Sequence, residues 1–324
     1  MQSARLILHL PKAVLAGDEG LKWFYRRLCD EFTERGGVVR KVPHERELLL
    51  ADMLEDDDFH IVDHGALRHP RILNTGIAYL FPFWNLDPHG IRALSSIGEA
   101  KFRRSEVDAK AANAFHRHMV GRWVKQRRSR GAQPDAEVDS PEGAIAVFLQ
   151  SEKDRAVEET CHLDRTSMVK ALLRRDDPRP IVIKPHPRDT SPDTGEWLAE
   201  LAARDERVVV SHGNIHDILS KAAVTVTINS AVGIESMLHR VPVVLCGRAD
   251  FHHAAVTVER QFDMDGAIAH ATGRRWPYAK FLYWYFRENC IDAGSPALVD
   301  DVLTRIAATG YDIARFGLAT EMHC

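Results

Sequence analysis

The sequence predicts an α/β protein built from two doubly wound, Rossmann-like domains. Three observations carry that prediction. The 324 residues exceed one ordinary core and suit two domains of about 150 residues each. The second half alternates short, nearly all-apolar runs with amphipathic segments, as a parallel sheet covered on both faces requires. The first half opens with the same strand–helix–strand order.

The first strand is "RLILHL" (5–10), and "EGLKWFYRRLCDEFTERGG" (19–37) is the helix that follows. Asp18 stands before that helix as a cap, and Leu21, Phe24, Tyr25, Leu28 and Phe32 form one apolar face at a 3.6 period. Gly36-Gly37 ends it. "VVRKV" (38–42), "FHIVDHG" (59–65) and "GIAYLF" (76–81) continue the strands. Residues 101–130 carry ten Lys and Arg against two acids, mostly in a helical stretch around "AANAFHRHMVGRWVKQRRSRG". "GAQPDAEVDSPEG" (131–143) has the Gly, Pro, Asp and Ser content of a linker, which places the boundary between domains 1–135 and 136–324.

In the second domain the strands are "AIAVFL" (144–149), "PIVIK" (180–184), "RVVVS" (207–211), "VTVTI" (224–228) and "VPVVLC" (241–246). Amphipathic segments near 164–175, 194–204, 214–222 and 231–240 separate or follow them, and right-handed crossovers then wind the sheet on both faces. "RRWPYAKFLYWYFRENCID" (274–292) reads as a long aromatic helix packing back toward the hinge. Two such domains facing a central cleft make the GT-B architecture of many nucleotide-sugar glycosyltransferases.

Composition narrows the function classes. A net charge of −3 gives no global attraction to nucleic acid. Five scattered cysteines without a C-x-x-C pair point to reduced thiols in a cytosol. The opening "MQSARLILHLPKAVL" has too short an apolar run before Pro11 for a signal peptide or membrane span, and no run of about 18 apolar residues occurs elsewhere. The expectation is a cytoplasmic protein, any membrane contact of which would be peripheral, at the inner face of the membrane. The 17 histidines include no ligand motif such as H-E-x-x-H, so no metal is expected.

Ligands of an open parallel sheet collect at the carboxyl ends of its strands, and three strands here end in polar sequence. "FLQSEKD" places Gln150 and Asp154 as Q-x-x-x-D, a carboxylate for nucleophile or base with an amide to orient it. Solvation or helix capping is the plain alternative. "IVIKPHPRD" holds His186 between Pro185 and Pro187, with Lys184 and Arg188 adding charge suited to a phosphate or carboxylate. "TINSAVGIESMLHR" puts Asn229 or Ser230 at a helix start able to receive a phosphate, with Gly233 allowing close approach and Glu235 placed for a ribose. Ser-x-x-x-Glu is also simply a capping box.

Together, in this order and spacing, the three segments resemble the capsular polysaccharide synthesis family, which includes retaining β-Kdo transferases of Gram-negative bacteria. The match covers about 145–285 and is poor in the N-terminal half, where "NLDPHGIRALSSI" (85–97) is a weak echo. The resemblance implies a CMP-Kdo-dependent transferase acting by double displacement. Asp154 would be the nucleophile, Gln150 would place the sugar, and His186 would meet the donor phosphate. Lys184, Arg188, Asn229, Ser230, Gly233 and Glu235 would form the donor pocket. It also implies an acceptor-side first domain, a donor-binding second domain, a glycolipid or oligosaccharide acceptor, and no cofactor beyond the donor. Asp63, His64, Asp87 and His89 are the candidates for an acceptor-activating base. Phe102, Phe115, Met119 and Trp123 could supply the apolar side of a membrane-facing stretch within 101–130, although a solvated interdomain helix is the plainer and slightly favoured reading. The alternatives are another GT-B enzyme, such as a polyol-phosphate transferase or nucleotide-sugar epimerase, and a non-catalytic nucleotide-sugar-binding subunit of capsule export.

Overall fold

The computed structural model describes residues 3–16, 20–44, 57–151 and 160–319. Its strands are β1 (Arg5–Leu10), β2 (Val38–Pro43), β3 (Phe59–Asp63), β4 (Ile72–Ile77), β5 (Phe83–Asp87), β6 (Ala144–Phe148), β7 (Ile181–Lys184), β8 (Val208–Val210), β9 (Ala222–Thr227), β10 (Val243–Leu245), β11 (Val256–Thr257) and β12 (Ile291–Asp292). The chain divides into two compact units, 1–96 with 289–324, and 97–288.

The first unit carries a six-stranded sheet in the order β12-β5-β4-β3-β1-β2. Strands β2, β1, β3 and β4 run parallel, while β5 returns antiparallel to β4. The period-2 pattern of β1 sends Leu6, Leu8 and Leu10 into the main core. There they meet the helix Trp23–Glu34, whose Phe24, Tyr25, Leu28 and Phe32 are buried as the spacing predicted. Asp18 lies outside the described residues; the helix start at Lys22 has no side-chain cap. Its end does follow expectation, since Gly36 turns out of the helix at φ 86°, the left-handed region glycine occupies freely. The expected strand 76–81 is different. β4 stops at Ile77, and the chain reverses through Tyr79 at φ 64° into β5.

All strands of the second unit are parallel, in the order β11-β10-β9-β6-β7-β8. Renumbered from β6, this is the 3-2-1-4-5-6 arrangement of a Rossmann sheet, and its switch point lies between β6 and β9. Both faces are buried, which explains the unbroken apolar runs. Ile145, Val147 and Leu149 enter one core, while Ala144, Ala146 and Phe148 enter another. The predicted helices appear as Arg165–Leu173, Pro192–Arg204, Ile215–Lys221 and Val232–Leu238.

The unit boundary differs from the linker reading. Residues 97–135 group with the second unit, and 289–324 return to the first. Packing accounts for the difference. Helix Ala109–Met119 lies against Tyr278–Tyr283, with Phe102 on Phe281 at 5.4 Å and on Trp284 at 5.3 Å. Phe115 meets Tyr283 at 5.9 Å, and Met119 and Trp123 are buried. The apolar side chains offered for a membrane face are therefore occupied inside the protein. The aromatic helix is also shorter than 274–292: it runs Tyr278–Tyr283, then continues as a π-helix over Trp284–Glu288. Among the described residues, no helix is long and apolar enough to cross a membrane.

Phe281 is fully buried at the centre of this aromatic contact. Phe281→Ala is expected to cost about 3–5 kcal/mol in urea unfolding. Amide exchange should accelerate across 101–124 and leave β1–β5 protected. Equal loosening of β1–β5 would contradict the assignment of 101–124 to the second unit.

Candidate functional site

At the switch point of the second unit, Gln150 follows β6 and Asn229 follows β9. Their side chains hold each other. Gln150 Nε2 donates to Asn229 Oδ1 at 3.0 Å, and Gln150 Oε1 accepts from the Asn229 backbone N–H at 2.8 Å. The Thr227 hydroxyl, whose hydrogen has the Phe148 carbonyl at 2.8 Å, lies 3.1 Å from the same Gln150 oxygen. Asn229 Nδ2 then donates to Thr160 Oγ1 at 2.7 Å and to the Arg248 carbonyl at 3.1 Å. A buried amide left unpaired would cost about 1–3 kcal/mol, so this saturated network fixes the two strand tips and their following loops.

These bonds revise two expected roles. Asn229 is no helix cap; the residue before helix Val232–Leu238 is Ala231, without a side-chain cap. Gln150 acts first as the clamp on Asn229, with one amide hydrogen left beyond that bond. Asp154 lies outside the described residues. Ser230 Oγ accepts a long bond from the Val232 N–H at 3.3 Å, closing the turn into the helix.

His186 stands one strand away, beyond β7. Its Nδ1 accepts from the Arg188 N–H at 3.2 Å, so in the neutral ring the proton resides on Nε2. The imidazole is thus a hydrogen-bond donor suited to a phosphate oxygen. The Asp189 N–H closes the turn onto the His186 carbonyl at 2.8 Å, and Arg165 grips Asp189 at 3.0 Å. A ring-to-backbone bond supplements the two prolines, a detail that proline spacing alone did not reveal.

Lys184 does not face an anion. It is buried, and its Nζ donates to the carbonyls of His212 at 3.2 Å and Gly213 at 2.7 Å. Burial lowers its pKa. It shares a sheet face with Val182, which directs it onto the loop after β8. Arg188 is exposed and remains the cation beside His186. A cavity of about 370 Å³ lies over β7 and β8, lined by Val182, Val209, Ser211, Gly213 and Val138. None of Gln150, His186, Asn229 or Glu235 lines it, so the strand tips define the site better than this hollow.

Gly233 is required by packing: a Cβ there would come within 2.8 Å of the Phe251 ring. Glu235 is fully buried, with no well-formed hydrogen bond to either oxygen. Burial pushes its pKa up to about 7, partly offset by the nearby Ser129 hydroxyl, the Arg130 backbone and the Arg130 charge.

The residues beside Glu235, Ser129 and Arg130, end the basic stretch read as helical and lead into 131–134, read as the start of a linker; the structure ties 127–134 down as a strap. Arg127 pairs with Asp217, and Asn214 Nδ2 donates to the carbonyls of Arg127 at 3.3 Å and Pro134 at 3.2 Å. His216 Nε2 donates to the Arg128 carbonyl at 2.6 Å, which leaves Nδ1 to accept from His239 Nε2 at 2.9 Å. Burial lowers the pKa of both rings, His239 to about 4. Asn214 caps helix Ile215–Lys221, the one local signal that sequence carried for these anchors.

In the first unit, Asp87 is committed to its own loop. Oδ1 accepts from the N–H groups of His89, Gly90 and Ser96, and Oδ2 accepts from the Ser96 hydroxyl at 2.6 Å. Asp63 and His64, by contrast, meet side chain to side chain at 2.8 Å.

Glu235 gives a pH test. Its pKa is near 7 folded against an ordinary 4.5, so the folded chain holds more protons between those values. Its contribution to stability is full below about pH 4.5 and is lost as pH rises through about 7, a penalty of roughly 3 kcal/mol above that. Glu235→Gln should therefore melt higher than wild type at pH 8, with the gap shrinking toward pH 5. A pH-independent gap would remove the buried-carboxylate account.

Comparison with known proteins follows the same lines. The family model of capsule polysaccharide biosynthesis proteins matches residues 101–280, over half of the chain. The chain is similar to KpsC of Thermosulfurimonas dismutans described as a β-Kdo 2,7-transferase, with a TM-score of 0.50 and 15% identity over 82% of this chain and 90% of that one. It is also similar to KpsC of the same organism described as a β-Kdo 2,4-transferase, with a TM-score of 0.51 and 14% identity over 87% of this chain and 90% of that one. No curated protein matches. The likeness to the two structures is one of fold, in agreement with the GT-B-like α/β class, and the sequence match goes further: the chain belongs to the capsule polysaccharide biosynthesis protein family.

Proposed function

We propose that this protein is a glycosyltransferase of capsule or surface polysaccharide synthesis that transfers Kdo from CMP-Kdo with retention. One observation carries the reading: Gln150, His186 and Ser230 stand at the carboxyl ends of β6, β7 and β9, around the switch point of a Rossmann sheet. Family membership and the fold shared with two Kdo transferases support it.

In this mechanism the Asp154 carboxylate attacks the anomeric carbon while that carbon's bond to the donor phosphate breaks. His186 Nε2–H donates to a phosphate oxygen and helps CMP leave. Arg188 offers charge to the phosphate or to the Kdo carboxylate. An acceptor hydroxyl then displaces the Asp154 carboxylate, and two inversions give net retention. Glu235 reaches a ribose hydroxyl when the 127–134 strap yields. No resident cofactor is needed. The acceptor is a glycolipid or oligosaccharide, and the protein works in the cytoplasm at the inner membrane face, where the basic side chains of 101–130 meet anionic lipid.

Thermal shift against CMP, CDP and UDP is the first measurement. CMP at a hundred times its dissociation constant should stabilise the fold by about 2.7 kcal/mol. With CMP-Kdo, Asp154→Asn should lose transfer on the order of 10⁴-fold or more while still binding CMP. Stabilisation by UDP and not CMP would sink the Kdo reading; full transfer by the Asn variant would sink the nucleophile. Binding of CMP without any transfer by wild type would favour a non-catalytic donor-binding subunit.

A further inference from the structure

The first unit has a switch point of its own. Counted from β1, its order is 2-1-3-4-5, which reverses between β1 and β3. Strands β1 to β4 run parallel, so one edge of the sheet gathers Asp63 at the end of β3 and His64 after it. The same edge holds the start of helix Trp23–Glu34, which follows β1, and the 78–82 hairpin, which follows β4. This is the edge at which an open parallel sheet takes its ligands.

Asp63 is held from three sides. Its side chain is 1% exposed; Lys22 Nζ donates to Oδ1 at 3.2 Å, the Tyr25 hydroxyl donates to the same oxygen, and His64 Nδ1 lies 2.8 Å from Oδ2. Burial raises the Asp63 pKa, yet His64, Lys22 and Tyr25 outweigh it and keep the carboxyl below its ordinary value, ionised. A carboxylate bonded to Nδ1 makes that nitrogen the protonated one in the neutral ring and leaves Nε2 with its lone pair. The His64 side chain is 42% exposed, and Nδ1 is its one ring nitrogen with a protein partner among the described residues.

Backbone strain is concentrated at this edge. Among the described residues five non-glycine residues have positive φ, and three of them are His64 at 52°, Tyr79 at 64° and Arg92 at 50°. The His64 N–H is tied to the Thr75 carbonyl at 2.7 Å, and Arg92 Nε donates to the carbonyl of Ile77, the last residue of β4, at 3.1 Å. Such backbone costs stability and gathers where side chains are aimed at a ligand.

The edge also carries an exposed aromatic pair. Trp23 opens the helix and Phe81 lies in the hairpin, with ring centroids 5.7 Å apart. They are 42% and 36% exposed, whereas most large apolar side chains of the described residues are buried. Arg27 lies over the indole at 5.2 Å and donates to the Ser295 carbonyl at 3.0 Å, which braces one side of the ring. A rigid aromatic surface open to solvent suits a pyranose ring, whose C–H face is apolar while its edge carries hydroxyls. The oriented imidazole supplies an acceptor for such a hydroxyl.

We propose that this edge of the first unit is an oligosaccharide-binding site, in which Trp23 and Phe81 hold the face of one sugar ring and His64 Nε2 accepts from a sugar hydroxyl. Asp63 is the positioning residue of His64. The proposal deepens the transferase reading and rests on it for the choice of a glycan as ligand.

The test uses the full chain and saturation-transfer NMR with two trisaccharides, maltotriose and trigalacturonate, and no donor. At least one should receive saturation, strongest on the protons of one ring face. Trp23→Ala should weaken that binding on the order of ten-fold. His64→Asn, which tolerates the positive φ, should weaken it by about 2–10-fold. Phe262→Ala, which removes an exposed ring of the second unit, should leave it unchanged. In the ring nitrogen spectrum His64, assigned by its loss in His64→Asn, should carry its proton on Nδ1, and the glycan should move the Nε2 resonance. Melting curves establish that each variant is folded.

Saturation of neither trisaccharide, or equal binding by folded Trp23→Ala, would overturn the site. A proton on Nε2 in the free protein would do the same and needs no variant to fold other than for assignment. CMP added to the same samples gives a separate readout. Stabilisation by CMP without glycan binding defeats the site alone, and glycan binding without stabilisation by CMP defeats the transferase reading instead.

Discussion

The hydrogen-bonded pair Gln150–Asn229 is the constraint on which the second unit's site depends. A parallel sheet opens at its switch point because the connections on either side leave in opposite directions. Here that opening is spanned by an amide clamp, extended through Thr227, Thr160 and the Arg248 carbonyl. Such a network favours a single arrangement, since opening any member leaves a buried polar group unpaired. It fixes the ends of β6 and β9 without using His186 or Ser230.

Glu235 is the opposite case. Its carboxyl is fully buried, with burial only partly offset by Ser129 and Arg130 of the strap 127–134. That strap is fastened by Arg127–Asp217, Asn214 and His216 to the start of helix Ile215–Lys221. A buried carboxylate is costly when charged, so the covered state is favoured by protonation and the uncovered one by ligand hydroxyls.

Much of the fold was legible because burial on both faces leaves a plain signature. β6, β7, β9 and β10 are short apolar runs, and the helices between them have one apolar face each. The hairpin at 78–82 was not legible, since "GIAYLF" has strand composition on both sides of a reversal set by backbone conformation. The boundary at 96 was missed for another reason. Periodicity in 101–124 shows which face is apolar but not what covers it, and the partner, 278–288, lies far along the chain. At the strand tips, spacing singled out His186, Gln150 and Asn229 but did not show that the two amides bind each other. Lys184 was the avoidable error, because alternation along β7 already placed it on the face of Val182.

Strain separates the Asp63–His64 pair from an ordinary surface contact. A non-glycine residue held at positive φ costs on the order of 1–3 kcal/mol and persists only where its surroundings dictate it. Here the Thr75 carbonyl holds the backbone and Asp63 holds the ring, while Lys22 and Tyr25 hold Asp63. A glycine at 64 would relieve the backbone, and a hydrophobic residue at 63 would spare the desolvation of a charge. Both relaxations would preserve the sheet, and both would remove the oriented imidazole.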